Sequence, residues 1–304
     1  MIELGRLRAL SAIATHGTVF AAADVLHCTP SAVSQHITKL EQETGTSLFE
    51  KDGRRLRLTE AGRLLADHAL LVLGAVERAE AALAAHHGTV SGRLTIASFP
   101  TGCRALLPSA LKRLTKEHPQ LDVEMLEADP HHSLDLLARG EVDLALVDEW
   151  PGVPLVMPPG VTRVELGPDY ADLVVPAKHP LAKRKSPISL GELTAEKWIV
   201  STPGTNCHAW SSRVLPGVRP AFLVYEFETQ LTLVATGLAI AMVPRLARIS
   251  VPSGVAVLSL EPALARRISV VWRSASEARP AIAVAASALR HAWEKRVTAT
   301  ALTS

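Results

Sequence analysis

Ser31, Ser34, Gln35 and Thr38 fall on one side of a 3.6-residue repeat, opposite Val33, Ile37 and Leu40. At about 100° per residue, both sets follow from a helix beginning at Pro30 that buries one face and presents hydroxyls and an amide on the other. Short polar groups of this kind can bond base edges in a major groove while the backbone stays close, and the amide of Gln35 suits a bidentate contact to adenine. The same face would equally serve as an ordinary solvated surface. Further on, Lys51-Asp52-Gly53-Arg54-Arg55 sets cations around an Asp-Gly turn, and Leu56 and Leu58 alternate with Arg57. That pattern reads as a β-ribbon whose arginines can meet phosphates.

Other reactive groups are sparse. Cys28, Cys103 and Cys207 form no Cys-x-x-Cys pair and leave one thiol over, which fits a reducing compartment better than a disulfide framework. Cys103 and Cys207 each lie just inside an expected helix, where an N-terminus can lower a thiol pKa, so thiol-based redox sensing is a second reading. A small buried cysteine is the plainer one. His131, His132 and His208 lack paired ligand spacing, so no metal or cofactor is expected. No Gly-x-Ser-x-Gly or P-loop motif orders the Ser, His and acidic residues, and no enzyme is expected.

Leu4, Leu7, Leu10 and Ile13 mark a first helix stopped by Gly17, and Thr18 is placed to cap a second one rich in small residues, Ala21 to Ala23. Pro30 suits the first turn of a third. From Thr59 and Glu60 a long helix is expected, about 42 Å over roughly 28 residues. Its residues Leu65, Ala69, Val72, Val76, Ala79 and Leu83 repeat at heptad spacing, the mark of a dimerising seam or of a buried core helix. Gly88 and Gly92 end it.

Beyond residue 89 short apolar runs alternate with amphipathic segments. Strands are expected over 94–98, 121–126 and 142–147, with helices over 101–116 and 133–139. This order implies a parallel sheet covered on both faces. A second lobe repeats it, with strands over 173–176, 198–201, 221–225 and 240–244 and helices after Gly204 and over 229–236. Ser98-Phe99-Pro100-Thr101-Gly102 and Ser201-Thr202-Pro203-Gly204-Thr205 echo each other at strand-to-helix junctions, where open α/β sheets bind ligands. Such residues are also common punctuation there.

The 304 residues suggest two or three domains, and 48% apolar residues supply a sizeable core. A net charge of +2 excludes a histone-like blanket of positive charge. The N-terminus does not read as a signal peptide, and no run approaches the ~18 apolar residues of a membrane span. A cytoplasmic protein without membrane association is expected.

The run TPSAVSQHITKLEQETGTSLFEKDGRRLRLTEAG resembles the DNA-binding signature of LysR-type transcriptional regulators. Helix, Leu-Glu pair, Gly-x-x-Leu-Phe turn, wing and closing Thr-x-x-Gly stand in register. The resemblance implies a multi-domain chain: an all-α winged helix-turn-helix over 1–58, a dimerising linker helix over 59–88 and an α/β effector-binding domain over 89–304. It places Pro30, Ser31, Ser34 and Gln35 against bases, joined by Thr38 from the helical face, and Thr29, Arg54 and Arg55 against phosphates. PSALKRLTKEHPQLDVEMLEADPHHSLDLLARGEVDLALV, DLVVPAKHPLA and LTLVATGLAIAMVPR resemble the effector domain of the same family, which is two-lobed and type 2 periplasmic-binding-protein-like. The chain is then expected to cross between lobes near 165–167 and return near 267–269. Lobe I would hold about 89–165 and 268–300, and lobe II about 166–267. Effector-lining positions implied by the resemblance are Ser98, Phe99, Pro100, Thr101, the turn at Asp129, Pro130 and His131, Asp148, Glu149, Thr202, Pro203, Gly204 and Thr205, with Glu228 and Thr229 at its margin. The implied partners are double-stranded promoter DNA, a small-molecule effector and further copies of the chain, as homodimer or homotetramer. A thiol sensor using Cys103 and Cys207, or a cytoplasmic solute-binding protein without a DNA function, is the alternative.

Overall fold

Helix α1 (Leu4–His16) turns Leu7, Leu10 and Ile13 inward and stops at Gly17, whose φ of 71° is left-handed. A glycine takes that conformation without the Cβ clash that penalises other residues. The Thr18 hydroxyl accepts a hydrogen bond from Ala21 N at 3.1 Å and so starts α2 (Val19–Val25). The Thr29 hydroxyl likewise accepts from Ala32 N at 3.2 Å and starts α3 (Pro30–Thr44). Val33, Ile37 and Leu40 of α3 join one apolar core with Leu10, Ile13, Ala22 and Leu48. Strands β1 (Phe49–Asp52) and β2 (Arg55–Leu58) pair antiparallel, Phe49 opposite Leu58. The computed structural model describes residues 1–52, 55–87 and 89–301.

Three contacts fasten this wing to the helices. A Glu41 carboxylate oxygen accepts from Leu48 N at 2.8 Å, tying α3 to the start of the wing. Thr59 donates from its backbone N–H to the Leu48 carbonyl at 3.0 Å and from its hydroxyl to the Ser47 carbonyl at 2.8 Å. The same hydroxyl accepts from Gly62 N at 2.9 Å, which opens α4 (Glu60–His87). A Cβ on Gly62 would lie 2.0 Å from the Leu48 carbonyl oxygen, so only glycine lets α4 pass this close to the chain entering the wing. The Thr-x-x-Gly pattern of the sequence is thus a clasp.

Two compact units are present, Met1–Thr89 together with Ala275–Pro280, and Val90–Ser274 together with the chain from Ala281. In the second, β3 (Gly92–Ser98) runs parallel to β4 (Leu121–Glu127) on one side and to β5 (Leu144–Glu149) on the other. Helices α5 (Pro100–Ala105), α6 (Leu107–Glu117) and α7 (Pro130–Arg139) connect them. The second lobe contains β7 (Trp198–Val200), α8 (Asn206–Val214), β8 (Phe222–Leu223), α9 (Phe227–Ala235), β9 (Ile240–Pro244) and β10 (Val255–Leu258). Two long strands, β6 (Val161–Pro176) and β11 (Leu264–Arg273), run antiparallel to each other and merge the lobes into one sheet of order β4-β3-β5-β11-β6-β9-β7-β8, with β10 on β6. Helix α10 (Pro280–Ala301) covers the first lobe, its Ile282, Leu289 and Trp293 packing into a core with Leu94, Ile96 and Leu146. The second lobe has its own cores, one around Trp150, Trp198 and Trp210 and one around Val174, Phe227 and Val243.

The structure departs from the sequence expectations in four places. The helix expected over 101–116 is two, broken at Leu106, because Pro108 has no N–H to donate across the joint. The helix expected from 133 begins at Pro130, so Asp129 is its N-cap and Pro130 and His131 its first turn. The strand expected from 142 begins at Leu144 and runs on through Asp148 and Glu149. The crossings near 165–167 and 267–269 fall inside two long strands, β6 and β11, where only a short strand over 173–176 was expected. A register irregularity stands there between Ile268 and Ser269, where Ile268 faces Gly167. Both strands carry charged residues amid their apolar ones (Arg163, Glu165 and Asp169; Arg266 and Arg267), which hides their periodicity.

Gly62→Ala is expected to lower the thermal midpoint of the chain sharply, since the new methyl meets backbone rather than a flexible side chain; overpacking of this kind costs about 1–3 kcal/mol or more. Thermal unfolding followed by circular dichroism checks this, and an unchanged midpoint would count against the clasp.

Candidate functional site

On α3, Ser31, Ser34, Gln35 and Thr38 are all exposed, in one row opposite the buried face. Ser34 and Thr38 donate their hydroxyl protons to the carbonyls of Pro30 and Ser34, both at 3.0 Å, which leaves oxygen lone pairs facing outward. No hydrogen bond within the chain engages the Gln35 amide among the described residues, so both its donor and its acceptor are free for a partner. The Thr29 hydroxyl is engaged in capping the helix. Arg57 on the wing pairs with Glu50 of the facing strand. Arg54 and the side chain of Arg55 lie outside the described residues.

On α4, Leu65 packs against the helix-turn-helix core and Ala69 is buried, while Val76 is half-buried. Val72, Ala79 and Leu83 of the heptad seam are exposed. Leu64, Leu70 and Leu71, outside the expected seam, are exposed as well, at 62%, 58% and 67%.

The second unit holds a cleft between its lobes. Its floor is Arg266, 2% exposed, on β11. The guanidinium donates from Nε to Asp169 at 2.9 Å, from Nη1 to Asp148 at 3.2 Å and from Nη2 to the Thr101 hydroxyl at 2.8 Å. The rings of Phe99 and Trp150 lie 5.0 and 5.7 Å from its carbon, within cation–π range. Burial opposes charge on all three ionisable groups. The two carboxylates outweigh it for Arg266, which stays protonated with a raised pKa, while burial pushes Asp148 and Asp169 upward, with the Asp169 and Asp129 charges adding to it at Asp148.

Side chains of the two lobes meet across the cleft mouth. The Tyr225 hydroxyl donates to Asp129 at 2.8 Å, and His131 Nε2 lies 2.9 Å from the Asn206 side-chain oxygen. Arg104 pairs with Glu226 at 2.9 Å and Glu228 at 3.4 Å. Burial and the Asp129 carboxylate raise the Tyr225 pKa and keep it a donor.

Of the residues expected to line an effector site, Phe99, Pro100, Thr101, Asp129, Pro130, Asp148 and Thr205 do line the cleft. Ser98 lies beneath it, its hydroxyl on the Phe99 carbonyl. His131 and Glu228 stand at the mouth in the contacts above. Glu149 turns to Arg163, Arg267 and Leu155 N and is not among the lining residues. Neither are Thr202, Pro203, Gly204 and Thr229, although the Thr202 carbonyl accepts the Thr205 hydroxyl. Ser201 and Cys207 line it too, and so do Arg266, Asn206, Tyr225, Glu226 and Phe227, which the sequence does not single out. For Arg266 the one available signal was a doubled arginine leading into the apolar run from Ile268.

Both candidate thiols are held protonated. Burial pushes Cys103 up to about 11 and Cys207 up to about 12, the nearby Asp148 charge adding to the second. Cys103 donates its S–H to the Ser98 carbonyl at 3.3 Å, and Cys207 lines the cleft. Cys28 is exposed. No cluster of metal-binding side chains occurs among the described residues, and no helix there is long and apolar enough to cross a membrane.

Residues 4–63 match the family model for the bacterial regulatory helix-turn-helix protein, lysR family, and residues 87–294 match the LysR substrate binding domain. The chain is 31% identical over 303 aligned residues to the DNA-binding transcriptional dual regulator OxyR of Escherichia coli, covering 93% of each. It is 27% identical over 256 residues to a probable cat1 operon transcriptional activator of Acinetobacter lwoffii, covering 81% of this chain and 82% of that one. Among solved structures it resembles an H2O2-bound cysteine mutant of Corynebacterium glutamicum OxyR at TM-score 0.62 and 26% identity, covering 100% and 98% of the two chains. It shares the fold of a full-length OxyR variant from Pseudomonas aeruginosa at TM-score 0.70 and 23% identity, covering 95% and 98%.

Arg266→Ala is expected to destabilise the chain by about 3–5 kcal/mol, because it strands two buried carboxylates. Urea unfolding checks this, and a loss under about 1 kcal/mol, the worth of an exposed pair, would overturn the keystone role of the guanidinium. With iodoacetamide at neutral pH, mass spectrometry should find Cys28 modified well before Cys103 and Cys207. Rapid labelling of either would contradict their protonated state.

Proposed function

The chain belongs to the LysR family of bacterial transcription regulators, and from that premise we propose which of its residues read DNA and which hold the effector. Regulators of this family bind promoter DNA and small-molecule effectors and are typically oligomeric. In this chain α3 enters the major groove. Gln35 contacts a base edge through its amide, flanked by Ser31, Ser34 and Thr38, with Pro30 near the base at the helix start. Thr29, Arg54 and Arg55 grip phosphates. The observation that carries this reading is the exposed row on α3, whose central amide has no partner within the described chain. Since α3 itself offers few cations, phosphate affinity falls largely to the wing.

The cleft floored by Arg266 receives the effector, and differential binding to two lobe arrangements alters the DNA-bound state. Self-association runs through exposed apolar side chains of α4, among them Leu64, Leu70, Leu71, Val72 and Leu83, so that two α3 helices address a two-fold operator as a homodimer or a dimer of dimers. Several relatives are named as hydrogen peroxide-inducible genes activators, and Cys207 lines the cleft. A thiol sensor needs accessible thiolate, however, and burial here favours the neutral thiol, so a reversibly bound effector is the better supported mode.

Fluorescence anisotropy with a duplex from the chain's own upstream region and a scrambled duplex tests the DNA assignment. Gln35→Ala should shrink the preference between the two by about 1–3 kcal/mol, the worth of one bidentate base contact. Arg54→Ala should weaken both equally and reduce the salt slope by about one. Equal losses on both duplexes for Gln35→Ala would overturn the base-reading role.

A further inference from the structure

The cleft has an electrostatic sign, and the sign follows from what its one cation has already bound. Arg266 is the only positively charged side chain among the described residues that line it. Its Nε, Nη1 and Nη2 are all committed, to Asp169, Asp148 and Thr101. A ligand carboxylate reaching Arg266 must displace Asp148 or Asp169 and leave that group buried without its counter-charge, a costly exchange. Arg104 at the mouth pairs through Nη1 with two carboxylates to its one charge, while its Nε and Nη2 carry no hydrogen bond.

Helix N-termini are the other common receptors for anions; at the cleft that of α8 is capped by a side chain, while those of α5, α7 and α9 are not. Asp129 holds the N-cap of α7 and Glu226 that of α9, which places a negative charge at each. Thr205 caps α8, its hydroxyl accepting from His208 N at 3.1 Å. Three carboxylates, those of Asp129, Asp148 and Glu226, therefore face the cleft around a single neutralised guanidinium, with Phe99, Tyr225 and Phe227 as apolar wall.

We propose that the cleft selects a small organic cation, a protonated amine or amidine on an apolar or aromatic body, over a carboxylate of the same shape. Asp129 and Glu226 supply the charge that is recognised. The aromatic residues take the body of the ligand. This inference rests on the cleft being the effector site.

Benzamidine, benzamide and benzoate share one outline and differ in charge, which makes them the probes. Their binding to the full chain is measured by isothermal titration at constant ionic strength. Benzamidine should bind at least about tenfold more tightly than benzoate, a difference of about 1.4 kcal/mol, with benzamide between them. In the double variant Asp129→Asn, Glu226→Gln the ratio should fall below about threefold, while benzamide affinity, free of any ion pairing, stays nearly constant. Should the double variant fail to fold, Asp129→Asn alone, at an exposed position, is read by the same ratio. Benzoate binding as tightly as benzamidine would overturn the cationic class and leave the cleft as the effector site. A benzamidine preference that survives the substitutions would also overturn it. Binding of none of the three would overturn both the class and the cleft assignment.

Discussion

A guanidinium buried between two carboxylates organises the effector domain. Arg266 reaches from β11 to Asp148 on β5, Asp169 on β6 and Thr101 on α5, while Asp169 also accepts Leu246 N at 3.0 Å from the turn after β9. Removing three charges from water is unfavourable, and only their mutual attraction and the hydrogen bonds that fill the remaining positions offset it. Strands from both lobes and the helix after β3 must therefore arrive at one point together. The same constraint sets the chemistry of the cleft. Its floor is a cation by composition but not by availability, since its donors are turned toward the chain's own acids.

The DNA-binding unit is stabilised differently, by backbone groups rather than by charge. Glu41 holds Leu48 N, Thr59 holds the Ser47 and Leu48 carbonyls, and Gly62 leaves room for that approach. Each contact satisfies a backbone group that a short loop would otherwise leave to water. The result is a wing tied at its start to α3 and at its end to α4. Ser31, Ser34, Gln35 and Thr38 on α3 are then free of structural duty, apart from hydroxyl bonds to the helix's own carbonyls. A face that the fold does not use is available to a ligand.

Burial also decides the thiols. Cys103 and Cys207 both stand near helix starts, which alone would favour thiolate, yet desolvation dominates and holds them protonated. At Cys207 the Asp148 charge acts in the same direction. One of the acids that neutralise Arg266 thus also quiets the neighbouring sulfur.

Much of this was legible in the residues. Periodicity marked α1, α3 and the long α4, whose turns bury every third or fourth side chain, and Gly17, Thr18 and Pro30 stand where the helices they bound begin or end. Local chemistry also located one rim of the cleft, from Phe99 to Thr101, because strand-to-helix junctions carry their own turn residues. The opposite rim at Tyr225, Glu226 and Phe227, and the floor at Arg266, were not legible, since those residues meet the first rim only through pairings between segments distant in the chain, such as β5 with β11. Glu149 shows the converse. It is the neighbour of Asp148 in sequence, but successive strand residues point to opposite faces, and it turns away to Arg163 and Arg267. Residue order alone was enough for the fold family, for helix α3 and for the polar set that it displays, because those depend on neighbours three or four residues away. The sign of the cleft and the state of its thiols needed the assembled fold, because charge in a low-dielectric interior depends on which distant groups are folded against it.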